Sequence, residues 1–389
     1  MDDATYISST NLMVQAGGRP TEASPRRPVD TKLPGINANS DGGHGRVKAA
    51  AFYEYGPAEA MQYADIPDPA IGPRDVLVHV QACGVNHSDL DSRAGTSRWP
   101  FELPMVLGAE FTGTVAGVGD QAGPIQTGDL VTALQQYSCG RCAQCAKWRP
   151  DLCAAFEIFG TTRWGGYGEF VRVPAEVVVP LEPADDPLAV AAGQCVVSTA
   201  WHMVNRLALV RPGDLVLVPS ASGGVAGALV QCAKLAGATV IATVGTTAKA
   251  HRVSLLGADL VIVRGDGDIA TDLMHATSGR RFDAVLDTVG GDLFRAHLSV
   301  LREEGTLVTC GAHAGEVVPL DLVPLFRNGW RIVGFRLAPP DELATSLDLI
   351  RRGSVKVPIA ATFPLSDAAA AHRFLERRQH VGKVLLVAG

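Results

Sequence analysis

Four cysteines crowd one short segment of this sequence, in the order Cys139-x2-Cys142-x2-Cys145-x7-Cys153. Four thiolates within one loop complete the closed tetrahedral set that a structural zinc takes. An iron–sulfur cluster is the chemical rival, but ferredoxin-type runs bring in their fourth cysteine after a shorter gap and follow it with proline. Here the last gap is seven residues and Ala154 follows, so the spacing favours one zinc. The other four cysteines, Cys83, Cys195, Cys232 and Cys310, are scattered along the chain and read as small buried residues.

The second chemical signal is Ser220-Ala221-Ser222-Gly223-Gly224-Val225-Ala226-Gly227, which follows the apolar run Leu215-Val216-Leu217-Val218. A turn this poor in side chains lets the backbone approach a pyrophosphate, and the helix that follows offers its free N–H groups and positive dipole end. Sites selective for NAD carry a carboxylate about 20 residues further on, where it holds the ribose hydroxyls. The corresponding segment here is Val244-Gly245-Thr246-Thr247, with Lys249 and Arg252 next and no carboxylate. The two cations either meet a 2′-phosphate, which makes NADPH the expected cofactor over NADH, or are ordinary solvated charges on a helix.

These motifs need elements to position them. From Val47 to about residue 185 the sequence is short strand-like runs broken by Gly and Pro, as in Val76-Leu77-Val78-His79-Val80, so this part should be mostly β. From 186 to 337 apolar runs at Leu215–Val218, Val240–Ala242, Leu260–Val263, Ala284–Leu286, Thr306–Thr309 and Ile332–Phe335 alternate with helical stretches. Continuous apolar strands at that spacing predict a parallel sheet covered on both faces, a Rossmann-type doubly wound α/β domain. The tail, 338–389, carries a helix around Leu343–Arg352 and ends on Val384-Leu385-Leu386-Val387; it is expected to return to the first domain. Residues 1–46, rich in Pro, Gly, Ser and Asn, read as a flexible leader. They lack the apolar core of a signal peptide, and their acids fit a transit peptide poorly.

Composition limits the function classes. An apolar fraction of 47 % and a charged fraction of 19 % in 389 residues fit a globular protein with a sizeable core. A net charge of −6 argues against a general nucleic-acid or anionic-membrane binder. No apolar run reaches the length of a membrane span. Crowded cysteines without a secretory signal point to metal binding in a reducing, cytoplasmic compartment.

Three further runs, Gly84-Val85-Asn86-His87-Ser88-Asp89, Gly128-Asp129-Leu130-Val131 and Phe282-Asp283-Ala284-Val285-Leu286-Asp287-Thr288-Val289-Gly290-Gly291, resemble the medium-chain dehydrogenase/reductase family. The order of β-rich half, Gly-rich Rossmann half and returning tail is similar too, and the likeness is greatest to the quinone-reductase branch. The resemblance implies a GroES-like catalytic domain over 47–185 and 338–389 with a zinc lobe at 139–153, and a dinucleotide domain over 186–337. It implies that Thr199 touches the nicotinamide and that the backbone of Cys310-Gly311-Ala312 reads its carboxamide. The branch's last turn glycine is Ala226 here, with Gly227 one place later, so a modest shift of the turn is expected.

The same resemblance places the three ligands of the family's catalytic zinc at Asn86, Ala109 and Cys195. One thiolate alone holds zinc weakly, although Glu110, His87 and Asp89 lie near in the motif. Without that Lewis acid, alcohol oxidation loses its charge stabilisation, and quinones or enones become the expected hydride acceptors. Asn86 and Ser88 are then candidate donors to the substrate oxygen, and His87 a candidate for pyrophosphate contact or proton relay; Asn86 and Ser88 alternatively satisfy loop backbone. Competing readings are a zinc alcohol dehydrogenase with unusual ligands and an inactive NADPH-binding protein. The expected partners are a small-molecule substrate and a second copy of the chain. The run Arg331–Leu337 should form an open sheet edge of the kind that pairs across a two-fold axis in the family.

Overall fold

The computed structural model describes residues 46–388 except Pro100 and Trp148. The expected leader lies outside the described residues but for Arg46. The chain begins with a three-stranded sheet built on β1 (Arg46–Phe52), β2 (Met61–Pro67) and, further on, β4 (Met105–Val106). The long strand β3 (Asp75–Val85) runs into helix α1 (His87–Ala94). It is the spine of a seven-stranded sheet with β5 (Phe111–Val118), β6 (Leu130–Ala133), β9 (Phe170–Pro174) and β10 (Val178–Pro180). Between them a small excursion holds the pair β7 (Gln136–Tyr137) and β8 (Glu157–Ile158) around the short helix α2 (Ala143–Ala146).

Helix α3 (Pro187–His202) carries the chain to the second sheet. Its start is fixed locally: Pro187 stands at the first turn and Asp186 accepts from the Leu188 N–H at 2.9 Å. The strands that follow are β11 (Leu215–Val218), β12 (Thr239–Val244), β13 (Leu260–Val263), β14 (Phe282–Asp287), β15 (Leu301–Thr309) and β16 (Arg331–Gly334). They alternate with α4 (Gly224–Leu235), α5 (Thr247–Ser254), α6 (Ile269–Ala276), α7 (Leu293–Ser299) and α8 (Leu322–Arg327). All pair in parallel, in the order β13-β12-β11-β14-β15-β16. Every residue of β11 is buried, as a central strand with helices on both faces requires. The order reverses between β11 and β14, and in such sheets ligands bind in the crevice beyond the strand ends at that reversal.

After α9 (Asp341–Arg351), β17 (Ile359–Pro364) and α10 (Ala368–Glu376), strand β18 (Lys383–Val387) closes the chain. It pairs antiparallel with β3, setting Val384 opposite Val85 and Val387 opposite Ala82. The tail therefore enters the first sheet and puts Lys383 beside the end of β3, next to the start of α1. Among the described residues, no helix is long and apolar enough to cross a membrane.

Candidate active site and metal centre

The glycine turn joins β11 to α4, where Gly223 caps the helix in extended conformation and leaves the first N–H groups of α4 open. The tail braces this turn, since Gly382 N–H donates to Ser222 O at 3.0 Å. A side chain on Gly224 would come within 2.7 Å of the Lys383 Cδ, so glycine lets the lysine stem pass. Ala226 is buried at 1 % exposure, and the helix turn above it closes normally, with Gly227 N–H on Gly223 O at 2.8 Å. The alanine is absorbed by packing.

At the end of β12, Thr246 caps α5, and Gly245, Thr246 and Thr247 lie exposed with no carboxylate among them. Arg252 is exposed on α5. Lys249 is half-buried and donates to the carbonyl of Arg378 in the tail; burial and the Arg378 charge hold its amine below the usual lysine range. Sequence reading missed Arg378, which only the fold brings to α5.

Thr199 lies on α3 one turn after Cys195. Across the crevice, Asp287 at the end of β14 accepts from Val289 N–H at 3.2 Å and Gly290 N–H at 3.0 Å. Cys310 N–H reaches Asp287 O at 3.2 Å, which fixes the start of the loop carrying Gly311 and Ala312. A side chain on Gly311 would run into the backbone of Thr288. The expectation of four buried isolated cysteines holds for Cys83 and Cys232; Cys195 is half-buried with its thiol enclosed, and Cys310 is exposed. Both sit where α3 and β15 open onto the crevice.

Asn86, Glu110 and Lys383 form one cluster. The Lys383 ammonium donates to Asn86 Oδ1 at 2.7 Å, to Val85 O at 3.2 Å and to Glu110 Oε1. Asn86 Nδ2 in turn donates to Glu110 Oε1 at 3.0 Å. Lys383 is 3 % exposed and Glu110 is fully buried, so each charge needs the other. Gly84 makes room, because any side chain there would strike the Glu110 carboxylate. Glu110 and Lys383 also bear on the Cys195 thiol, which burial pushes up to about 12 and which lies beside Gln135 and Thr199. The positions to which the resemblance assigns catalytic zinc ligands thus hold an amide, a methyl group and a thiol, with an internal ion pair beside them.

The neighbouring candidates are used in several ways. Asp89 accepts from Asn86 N–H at 2.8 Å and from the Tyr167 hydroxyl at 3.1 Å; burial raises its carboxyl to about 6. Its oxygens close the first turn of α1, and no substrate role is visible for them. The His87 imidazole is lowered to about 4 by burial and then by the charges of His313, Arg378 and His380, so it is neutral at pH 7. Its ring lies 5.1 Å from that of His313, which meets Asp91 at 3.0 Å. Ser88 is exposed at the start of α1, its carbonyl accepting from the Ser92 hydroxyl at 2.7 Å. Lys383 went unread in the sequence, although a lone charge inside Val381-Gly382-Lys383-Val384-Leu385-Leu386 was the available signal.

The four lobe cysteines converge. The Sγ atoms of Cys139, Cys142, Cys145 and Cys153 all lie within 4.8 Å of one another. The Cys142–Cys145 and Cys139–Cys153 separations are 3.5 Å, and Cys142–Cys153 is 3.8 Å. A tetrahedron with Zn–S bonds of about 2.3 Å has edges of about 3.8 Å, so these three separations are close to those a zinc would set. Backbone N–H groups of Cys145 and Gln144 hold the Cys142 thiol down to about 6, favouring the thiolate a metal needs. Among the described residues, it is the one cluster of three or more such ligand atoms.

Comparison with known proteins agrees with this geometry. Residues 72–183 match the alcohol dehydrogenase GroES-like domain and residues 256–386 the zinc-binding dehydrogenase domain. An alcohol dehydrogenase of Moraxella sp. is 30 % identical over 81 % of this chain and 92 % of its own length. A quinone oxidoreductase of Pseudomonas aeruginosa is 28 % identical over 88 % and 99 %. Among solved structures, an NAD-dependent alcohol dehydrogenase superposes with TM-score 0.83 at 34 % identity, covering 88 % of this chain and all of its own. The Escherichia coli quinone oxidoreductase complexed with NADPH gives 0.75 at 27 %, covering 88 % and 99 %. The chain belongs to the medium-chain dehydrogenase/reductase family. It is an oxidoreductase that depends on a nicotinamide dinucleotide.

Proposed function

We propose that this enzyme uses NADPH to reduce quinones or the activated C=C bond of enones, and that it does so without a catalytic zinc. The observation that carries this reading is the Asn86–Lys383–Glu110 cluster. Asn86 Oδ1 and Glu110 Oε1 both accept from the Lys383 ammonium, so a zinc ion brought there would meet a fixed positive charge that already balances the carboxylate. Relatives include both quinone oxidoreductases and alcohol dehydrogenases, so the names do not choose, and the reading rests on these residues.

Reduced dinucleotide supplies the hydride when bound. The N–H groups at the start of α4 would take its pyrophosphate, and Arg252 and Lys249 its 2′-phosphate. Thr199 and the backbone of Gly311 and Ala312 would hold the nicotinamide. In a conjugated acceptor the charge developing during transfer spreads onto oxygen, where a hydrogen-bond donor stabilises it. Asn86 has both ends of its amide engaged, which leaves the Ser88 hydroxyl as the freer of the two expected donors. Lys383 supplies a fixed positive charge nearby. Cys139, Cys142, Cys145 and Cys153 would hold one zinc as a structural brace.

The chain is further proposed to form a homodimer through β16. The loop and helix α8 that precede this strand carry exposed apolar residues, with Val317 at 86 %, Phe326 at 69 % and Leu322 at 61 % exposure, and exposed apolar surface of this kind marks association surfaces. Unpaired thiols at all eight cysteines suit a reducing cytoplasm. The test is turnover with NADPH against a panel of quinones, enones and simple primary alcohols. Quinones or enones should be the best substrates. A primary alcohol as the best substrate, with activity lost on metal removal, would replace this reading with a zinc alcohol dehydrogenase.

A further inference from the structure

At the amino ends of β14–β16, the opposite end of the sheet from the glycine turn, lies a cavity of about 660 Å³. That is the size of a small-molecule site, and its walls are of two kinds. Arg281, Arg295 and Arg302 supply three guanidinium groups, while Leu298, Leu320 and Trp330 supply apolar surface. Arg302 is already balanced, since its Nε donates to Asp283 Oδ1 at 2.5 Å. Arg281 is not: its Nη1 donates to the carbonyls of Ser299 at 2.6 Å and Leu301 at 3.3 Å. Arg295 makes no hydrogen bond or ion pair among the described residues. Two positive charges therefore face the cavity without a carboxylate partner. The walls are also held in place. The two carbonyls pin Arg281, and Trp330 Nε1 donates to Arg302 O at 3.0 Å; groups so fixed lose little freedom when a ligand arrives.

We infer that this cavity is a second binding site, outside the catalytic crevice, for an organic carboxylate with a flat apolar body. Arg281 and Arg295 take the carboxylate, whose two oxygens match the guanidinium fork. Leu298 and Leu320 cover the apolar body, and a flat ring packs against the Trp330 indole. Glu303 and Asp321 also stand in the wall. Glu303 is exposed, and Asp321 accepts from the Val323 N–H at 3.1 Å. Their charges oppose a dianionic head, so the site favours a monocarboxylate over a phosphate monoester. The cavity is distinct from the surface proposed above for pairing. Pro324 and Asn328 line it, and each lies two positions, about 200° round the helix, from Leu322 or Phe326. None of the residues placed around the cofactor belongs to its walls, so occupancy should stabilise the chain and leave turnover unchanged.

The probe is 2-naphthoate, titrated by calorimetry into the full chain saturated with NADP⁺. One site per chain is expected, and the melting temperature should rise with probe concentration. Arg295→Glu should weaken binding at least about tenfold, the worth of a charge-assisted hydrogen bond, and Arg295→Lys should weaken it less. Arg295 is exposed and makes no contact of its own, so both variants should melt with the parent when the probe is absent. The uncharged 2-naphthylmethanol and the dianionic 2-naphthyl phosphate should each bind more weakly than 2-naphthoate. Tighter binding of the phosphate would overturn the carboxylate assignment. No binding of 2-naphthoate, binding unmoved by Arg295→Glu, or inhibition by the probe of NADPH oxidation would overturn the site.

Discussion

The cysteine lobe and the Asn86–Glu110 region are the two places where the family resemblance puts metal ligands, and their side chains are arranged oppositely. In the lobe four thiols converge, three of their sulfur pairs at 3.5–3.8 Å and all within 4.8 Å. At the other place Asn86, Ala109 and Cys195 cannot make a cage, and the charge that a cation would balance on Glu110 is balanced by Lys383. An ammonium can replace a metal as counter-ion, but it cannot open a coordination position to an alcohol. What the comparison teaches is that a buried carboxylate needs a counter-charge, and here a lysine from the far end of the chain supplies it.

The comparison breaks most visibly at Lys383. Lys383→Met leaves the buried Glu110 carboxylate alone, and such losses cost about 3–5 kcal/mol. Thermal unfolding should fall by about 10 °C or more, and pairing it with Glu110→Gln should restore most of the loss. If the single change is harmless, the ion pair is not what replaces the metal. Next comes the lobe: Cys142→Ser should lose zinc and stability while turnover per folded molecule stays close to the parent. Full stability in metal-free protein would deny the lobe its structural part.

A smaller effect separates the donors. Ser88→Ala should lower kcat by about 10-fold to 10²-fold with NADPH affinity unchanged, and an unchanged kcat would leave Ser88 to its loop. Arg252→Ala should weaken NADPH several-fold and spare NADH, measured by cofactor titration. Equal loss for both would take Arg252 off the 2′-phosphate.

The smallest effect is on pH. Burial lowers His87 to about 4 and His372 to about 3, so the unfolded chain takes up protons first as pH falls. Stability from these groups is therefore present above about pH 6.5 and is lost progressively as pH drops toward 4. Asp89, raised to about 6 by burial, works the other way, its contribution lost as pH rises from about 4 to 6. Two groups outweigh one, so the melting temperature should climb from pH 4.5 to 7, and less steeply in His87→Gln. A slope unchanged by that substitution would mean that His87 is not held neutral by the fold.

How much of this was legible follows the range of the interactions. The strands of the parallel sheet and the glycine turn could be read because each is a local pattern: Leu215–Val218 is apolar throughout since both its faces are covered. The zinc lobe was legible for the same reason. The ion pair was not, because Lys383 and Glu110 are 273 positions apart and meet only once β18 has paired with β3. Asn86 looked like a free donor for want of that pairing, and Asp89 looked available because a carboxylate in a motif carries no mark of which way it will turn. Gln135 sits in an otherwise ordinary strand-flanking run, and nothing local announces that its side chain meets the Cys195 thiol.

Metal stoichiometry of active enzyme tests the central claim most directly. Native mass spectrometry of the purified protein, on preparations whose quinone or enone reductase activity has been measured, should show one zinc per chain. That zinc should disappear in Cys142→Ser and be unaffected in Cys195→Ala. Two zinc ions per chain, the second lost with Cys195→Ala together with activity, would contradict the account.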